Sequence, residues 1–172
     1  VTKEWQFLGA GYIGPIPTPV IILFFVLIIT VLIMNKSKMG RHIYAVGGNP
    51  QAAVFSGIKV PRVKFLVFSY SGLMAGLAGI VLASRMYSGQ PTAGEGAEMD
   101  AIAAVVVGGT SMAGGYGKIG GTLIGGLIIG VLNNGLNLMN VSSFWQYVVK
   151  GAVILLAVFI DYIRQGRKEM AG

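Results

Sequence analysis

Two long uncharged stretches, separated by a polar and basic segment, dominate the first half of this 172-residue chain. Residues 16–34 contain 19 consecutive uncharged positions, and residues 65–84 contain 20. As helices they would be about 28–30 Å long, which matches the hydrocarbon thickness of a bilayer. The pattern therefore predicts two membrane spans, and the first should be preceded by an extended segment because Pro15, Pro17 and Pro19 disfavour helix interior.

The second half carries an apolar region that a run of glycines interrupts at residues 108–121. The apolar stretch before this run, residues 101–107, is short for a full span. After the run we predict a helix from residue 119 and a last helix over residues 144–163. The asparagines between these two helices predict a turn.

The fold class predicted by this pattern is an all-α membrane protein, a polytopic transmembrane helix bundle with a glycine-rich hairpin. Glycines four positions apart, such as Gly121 and Gly125, let helix backbones approach closely in lipid. The hairpin either folds back within the membrane as a re-entrant pair or reaches the cytoplasm, and the pattern leaves both alternatives open. Lys118 favours a cytoplasmic or water-lined position for the turn.

Composition supports a membrane protein. Hydrophobic residues make up 54% of the chain and charged residues only 11%, whereas a soluble domain carries about 25% charged residues. The net charge is +7, and six of the thirteen basic residues fall within residues 36–64. Such clustering is typical of cytoplasmic loops, and no basic groove with interleaved aromatic residues indicates a nucleic-acid partner.

The basic segment at residues 40–64 contains a short helix with a signal at each end. Asn49 is a favoured N-cap, Pro50 fits the first helical position, and Gly57 suits a left-handed residue after the last turn. A two-turn helix is not stable alone in water, so its apolar face, which includes Phe55, needs a surface. We interpret the segment as a handle for a cytoplasmic partner. The alternative is that Phe55 packs against the chain's own spans.

Residues 85–100 are predicted to form an external loop, in which Asp100 would cap the helix that follows. Lys150, inside the last helix, would snorkel outward, pair with a carbonyl or an asparagine, or line a path. Polar and aromatic side chains near it suit the recognition of sugars, although turn formation and interfacial anchoring explain some of them equally well. These side chains are Asn133, Asn134, Asn137, Asn140, Trp145, Gln146 and Tyr147.

No catalytic constellation can be assembled from the sequence. The glycine pattern at residues 115–120 has no acidic residue about twenty positions later and does not continue as a phosphate-binding loop. Cysteine is absent, which excludes disulfides and thiolate metal sites, and His42 is expected to be solvated. We therefore expect neither an enzyme nor a metal site.

Four ordered motifs resemble one transporter family. They are GRHIYAVGGN at 40–49, EMDAIAAVVVGGTS at 98–111, NNGLNL at 133–138 and WQYVVKG at 145–151. Over nearly its whole length the chain resembles the permease subunits of the ribose/xylose/galactoside branch of bacterial ABC importers. Through QPTAG at 90–94 and the NNGLNL run it is most similar to the ribose permeases.

The resemblance implies that residues 1–172 form one transmembrane permease domain, the C-terminal part of a longer permease. It implies a cytoplasmic coupling loop at residues 40–64 that contacts an ATPase. The coupling residues would be Asn49, Pro50, Ala52, Ala53, Phe55 and Gly57.

The resemblance further implies partners in the bacterial cytoplasmic (inner) membrane. They are membrane lipid, a second permease subunit (the same or a different chain), an ATPase subunit that supplies two ATPase domains, and a periplasmic or lipid-anchored sugar-binding protein. This chain would need no cofactor, since the ATPase would bind ATP and Mg²⁺. We expect Gln90, Glu95 and Glu98 to dock the binding protein. The translocation path is expected at Asn133, Asn134, Asn137 and Lys150.

Three alternative functions differ from sugar import in what they require. A branched-chain amino-acid permease would need a mainly apolar pocket. An ATP-independent carrier or channel would not depend on Phe55, and a membrane-embedded enzyme would need reactive residues that the sequence does not supply.

The charge distribution predicts the sidedness of the loops. Residues 36–64 and the C-terminus should be cytoplasmic and residues 85–100 external. In this cysteine-free chain, a cysteine introduced at Thr92 should react with an impermeant thiol reagent only from outside. One introduced at Lys59 should react only from the cytoplasmic side. Labelling of position 92 from the cytoplasmic side alone would overturn the predicted topology.

Overall fold

The computed structural model describes residues 3–169, and the side chains of residues 7–163. Over that range it contains eight helices and one short hairpin, which confirms the predicted all-α polytopic class. The strands are β1 Tyr12–Ile13 and β2 Ile16–Pro17, and the helices are α1 Lys3–Ala10, α2 Thr18–Lys36, α3 Lys38–Gly48, α4 Pro50–Phe55, α5 Val60–Met86, α6 Ala97–Val107, α7 Ile119–Leu138 and α8 Ser143–Glu169. The chain divides into two compact units, Val1–Glu95 and Gly96–Gly172.

Four helices in the described part of the chain are long and apolar enough to cross a membrane. They comprise α2, α5, α7 and the Ser143–Ile163 portion of α8. Helix α6 has 11 residues, which corresponds to about 16 Å and is too short to cross the hydrocarbon layer. The predicted spans are thus found, with α5 longer at both ends than its uncharged core.

The chain enters α2 through a hairpin where the sequence predicted only an extended segment. Strands β1 and β2 pair antiparallel, and Gly14 between them has a φ of +65°, which glycine adopts without steric cost. Pro19 then occupies the first turn of α2, where its missing N–H costs no hydrogen bond.

Hydrogen bonds connect helices of the first unit at two places, one between α1 and α5 and one between α2 and α5. The Gly9 backbone N–H donates to Ser84 Oγ at 2.8 Å and joins α1 to the end of α5. A Cβ at Gly9 would overlap the backbone nitrogen of Arg85, so the glycine permits this close approach. The hydroxyls of Thr30 and Tyr70 lie 2.5 Å apart and connect α2 with α5.

Helix α3 differs from the prediction, because the sequence indicates a polar loop rather than a helix at residues 38–48. Ser37 caps it by accepting a hydrogen bond from the Gly40 backbone N–H at 3.2 Å. Gly40 also lies so close to the last turns of α2 that a Cβ would overlap the Met34 carbonyl. The basic segment is therefore mostly helical.

In the second unit, α6 and α7 pack as an antiparallel pair through glycine. A Cβ at Gly125 would overlap the Ala104 carbonyl, and a Cβ at Gly121 would overlap the Gly108 carbonyl. Buried Ala103, Val106 and Ile129 lie on these helices. The pair of glycines predicted to mediate close packing therefore does so, and the glycine-rich segment between the helices closes the hairpin.

The loop boundaries differ from the predicted ones at the external segment. Helix α5 continues through Met86, and α6 begins at Ala97, so the connecting segment is residues 87–96 rather than 85–100. The predicted turn between α7 and α8 is present, with Asn140 at a φ of +53°. The basic residues Arg164, Arg167 and Lys168 fall on the last part of α8, where the side chains lie outside the described range.

We predict that Gly125→Ala weakens the second unit because the added methyl would force α6 away from α7. Displacing packed backbone costs about 1–3 kcal/mol, which should lower the melting temperature in detergent by several degrees. Gly126→Ala is the matched control. No atom lies within 4 Å of the Cβ position at Gly126, so this variant should melt at or slightly above the unmodified temperature. Equal melting temperatures for both variants would contradict the packing role of Gly125.

Candidate functional site

Helix α4 has the capping geometry that the sequence predicted. The Asn49 side chain accepts a hydrogen bond from the Ala52 backbone N–H at 3.0 Å, and Pro50 lies in the first turn. At the other end Gly57 has a φ of +80°. Its N–H donates to Val54 and the Ile58 N–H donates to Ala53. This pair of bonds closes the helix as a Schellman motif.

A small apolar core supports α4 from one side. Ala53 is only 3% exposed and packs in a cluster with Val46 of α3 and with Val60 and Val63 of α5. Ile58, the residue after the left-handed glycine, packs against the same cluster. The position of α4 is therefore set by contacts from both neighbouring helices, in addition to its caps.

The opposite side of α4 is open. The Phe55 side chain is 91% exposed, and Val54 is also exposed. Packing of Phe55 against the chain's own spans, the alternative considered from sequence, is not what the first unit shows. The coupling role of Phe55 stays a prediction, now with an accessible side chain on a helix whose position is set by buried contacts.

Basic residues flank α4 without acidic neighbours. No aspartate or glutamate occurs between residues 5 and 94. The exposed cations of this segment are Lys36, Lys38, Arg41, Lys59, Arg62 and Lys64. His42 is exposed too, as expected. The surroundings of α4 thus carry a positive charge, while α4 itself is uncharged.

The second unit contains a cluster of polar side chains between its apolar helices. Lys150 Nζ of α8 lies 2.7 Å from Asp100 Oδ1 of α6, and the two side chains are 9% and 31% exposed. Asn133 of α7 donates from Nδ2 to the other carboxylate oxygen of Asp100 at 2.9 Å. Three helices are therefore connected through one carboxylate.

This geometry corrects the role predicted for Asp100. The residue at the N-cap of α6 is Gly96, and no side chain caps the helix there. Asp100 lies in the first turn instead and pairs with Lys150. The pairing of Lys150 was considered only with a carbonyl or an asparagine. Lys150 is the only basic residue between residues 119 and 163, which indicates that it needs a partner, but the sequence offers both Asp100 and Asp161 as acids and does not choose between them.

Of the asparagines predicted for a path, Asn133 hydrogen-bonds Asp100 of the ion pair, and Asn137 hydrogen-bonds Gln146. Asn137 Oδ1 accepts a hydrogen bond from Gln146 Nε2 at 2.9 Å, and the same nitrogen donates to the Val141 carbonyl. Asn133 and Asn137 are four residues apart and share a helix face. Asn134 is turned away by about 100° and is exposed, so the structure does not bring it into the cluster.

The ring of Tyr147 completes the cluster. Lys150 Nζ lies 5.8 Å from the ring centroid, within the range of a cation–π contact. Gly96 allows the ring to approach the start of α6, since a Cβ there would lie 2.8 Å from a ring carbon. The cluster thus offers an ammonium group, a carboxylate, an amide and an aromatic face.

The residues predicted to dock a soluble partner are exposed. Gln90 and Glu95 lie at the end of the first unit, and Glu98 lies in the first turn of α6.

No group of histidine, aspartate and glutamate in the described part of the chain could hold a metal ion.

Comparisons with known proteins agree on a transporter family. The family described as "Branched-chain amino acid transport system / permease component" matches residues 3–158. The ribose import permease protein RbsC of Bacillus subtilis (strain 168) is 57% identical over 157 residues, 91% of this chain and 49% of that protein. RbsC of Escherichia coli (strain K12) is 54% identical over 157 residues, with the same coverage.

A xylose relative is similar over the same range. The xylose transport system permease protein XylH of Haemophilus influenzae is 48% identical over 158 residues, 90% of this chain and 42% of that protein. The chain therefore spans about half the length of the curated relatives it matches. No solved structure matches it.

We predict that Asp100→Ala lowers the free energy of unfolding because it leaves the Lys150 ammonium group buried without its partner. Breaking such a pair costs about 3–5 kcal/mol, and the partial exposure of Asp100 favours the lower value. The double variant Asp100→Leu/Lys150→Met should stay within about 1 kcal/mol, since apolar residues replace both charges. Thermal melting in detergent measures both, with exposed Glu98→Ala as control. A loss as large for Glu98→Ala would contradict a specific role of the pair.

Proposed function

Because the chain belongs to the permease-component family of branched-chain amino acid transport systems, we propose that it forms part of the membrane permease of an ATP-driven importer. Relatives that match along 90% or more of this chain include proteins named for ribose import and for xylose transport. The proposed substrate is therefore a monosaccharide of the ribose type. The proposed location is the bacterial cytoplasmic (inner) membrane.

One observation carries the coupling part of this proposal: Phe55 is 91% exposed on a helix that is otherwise held in place. A helix of 6 residues does not persist by local propensity. Here the Asn49 cap, the Gly57 closure and the buried Ala53 hold it. A large apolar side chain presented from a fixed helix suits a pocket in a protein partner.

The proposed partner at α4 is the ATPase subunit of the transporter, which would bind ATP and Mg²⁺. Asn49, Pro50, Ala53 and Gly57 would act by shaping the helix rather than by direct contact, whereas Phe55 would enter the partner. Ala52 takes part through its backbone N–H, which Asn49 caps. This chain would need no cofactor of its own.

The proposed partner at the external end is a periplasmic or lipid-anchored sugar-binding protein. Gln90, Glu95 and Glu98 are accessible polar side chains, and charges at the rim of an interface mainly alter the rate of encounter and its dependence on salt. A second permease subunit and membrane lipid would cover the apolar surface of the four spans, which carry many exposed large hydrophobic side chains.

We predict that Phe55→Ala uncouples the transporter while the permease remains inserted and folded. Truncating a buried phenylalanine costs about 3–5 kcal/mol, which would weaken the association with the ATPase by more than a hundredfold. Co-purification of the ATPase and ribose uptake in proteoliposomes should both be lost, without a change in melting temperature.

The matched control for this experiment is Phe68→Ala. Phe68 is a similarly exposed phenylalanine on the membrane span α5, and its variant should retain the ATPase. A Phe55→Ala transporter that keeps its ATPase and its uptake would refute the coupling role. A lowered melting temperature with the ATPase retained would indicate instead that Phe55 packs within the permease.

A further inference from the structure

We propose that Asp100, Asn133 and Lys150, together with the ring of Tyr147, form a binding site for the hydroxyl groups of a monosaccharide in transit. The inference deepens the proposed function and rests on it. It gives a specific role to the polar cluster of the second unit, whose burial, unused hydrogen-bonding groups and neighbouring polar side chains all support it.

The ion pair lies within the apolar part of the second unit. Lys150 lies seven residues after the start of α8, which corresponds to about 10 Å along a helix of membrane-spanning length. Up to residue 163, the other side chains buried in this unit are Ala103, Val106 and Ile129. Ionisable residues within spans face the interior of a bundle or a water-filled cavity and mark substrate pathways. Stability alone explains such a buried ion pair poorly, because apolar residues of similar volume often give an equally stable protein.

The cluster leaves part of its hydrogen-bonding capacity unused. Asn133 Oδ1 is buried and accepts no hydrogen bond from the residues that the structure describes. Asp100 Oδ1 is not free in the same way, because it lies 2.7 Å from Lys150 Nζ in a charge-assisted contact. That ammonium group has three N–H donors, of which the contact with Asp100 uses one. A sugar hydroxyl both donates and accepts, so it could satisfy the free amide oxygen and a free N–H together.

The polar side chains form a continuous strip. Asn137 and Gln146, near the turn between α7 and α8, are hydrogen-bonded to each other at 2.9 Å. One helical turn deeper along each helix lie Asn133 and Lys150. Burial increases in the same direction, from exposed Asn137 to Lys150 at 9%. The strip therefore runs from the accessible end of the helices to the ion pair.

The chemistry of the strip matches a neutral polyol. Asp100 and Lys150 cancel in charge, so the site would neither attract nor repel an uncharged sugar. The Tyr147 ring, partly exposed beside Lys150, offers an apolar face to the C–H groups of a pyranose or furanose. A zwitterionic amino acid would also find complementary charges here, and the experiment includes it as a competitor.

The test compares two variants in the intact transporter with its ATPase and binding protein, reconstituted in proteoliposomes. Asp100→Leu/Lys150→Met removes the charged hydrogen-bonding groups, and Asn133→Leu removes the amide while the ion pair remains. Losing one hydrogen bond to a charged group corresponds to about tenfold or more in affinity. Ribose uptake should fall at least tenfold in the double variant, whereas stimulation of ATP hydrolysis by the binding protein should persist.

Asn134→Leu is the control, because Asn134 is the same residue type one position along α7 and lies outside the cluster. Its ribose uptake should stay within about twofold of the unmodified transporter. Competition between ribose and 2-deoxyribose adds a readout that a purely structural role would not change. The unmodified transporter should discriminate between the two sugars, and Asn133→Leu should lose part of that discrimination.

Three results would overturn the proposal. Normal ribose uptake by the double variant would show that the ion pair is structural. An unchanged sugar competition profile in Asn133→Leu would show that the amide does not contact the sugar. This result can be obtained even if the double variant fails to assemble. Competition by leucine but not by pentoses would show that the site recognises a zwitterion. Absence of ribose uptake by the unmodified transporter is a separate result that would contradict the proposed function itself.

Discussion

The second unit depends on the requirement that an ammonium group within apolar helices has a partner. Lys150 meets it through Asp100 at 2.7 Å, and the carboxylate can do so only if the start of α6 lies beside α8. Asn133 occupies the second carboxylate oxygen, so α7 is held in the same place. The short helix α6 is thereby fixed at its first turn by charge and further along by close contact of glycine with backbone. A lipid-facing lysine would be far more costly, which makes this arrangement of three helices difficult to exchange for another.

Glycine and lysine act together because this chain buries few large side chains. Among the described residues, no large side chain is fully buried. The hydrophobic effect does not drive helices together inside a bilayer, where the surrounding lipid is as apolar as the side chains, so packing and polar contacts decide which faces meet. Gly121 and Gly125 bring α6 and α7 close enough for backbone contact. By contrast Gly72, Gly76 and Gly126 have no atom within 4 Å of their Cβ positions, so these faces have no neighbour within their own unit.

Local features were predictable from the sequence and distant contacts were not. Asn49, Pro50 and Gly57 each act within a few residues of α4, and their roles follow from amide hydrogen bonding and backbone geometry. The spans follow from length and hydropathy. Helix α3 was missed because glycines and cations hide its pattern, and its cap, Ser37, is unremarkable in sequence. The partner of Lys150 was missed because Asp100 is fifty positions away, and its place at the start of a helix suggested a capping role. Which asparagine faces the cluster depends on the rotation of α7, which the sequence does not specify.

The exposure of Phe55 has a different meaning from the exposure of the many apolar residues on the spans. Side chains on α2 and α5 are exposed only until lipid or neighbouring helices surround them, so their accessibility needs no specific partner. Helix α4 lies between the ends of those spans, among six exposed Lys and Arg residues. Cations of this kind are placed at the level of headgroups and water, where hydrocarbon does not cover a phenyl ring. Burial of that ring would contribute about 1.5–3 kcal/mol, and the proposed protein partner would provide the surface for it. If a partner binds Phe55 as proposed, the contacts of Ala53 with Val46, Val60 and Val63 would connect that partner to α3 and α5 through buried side chains.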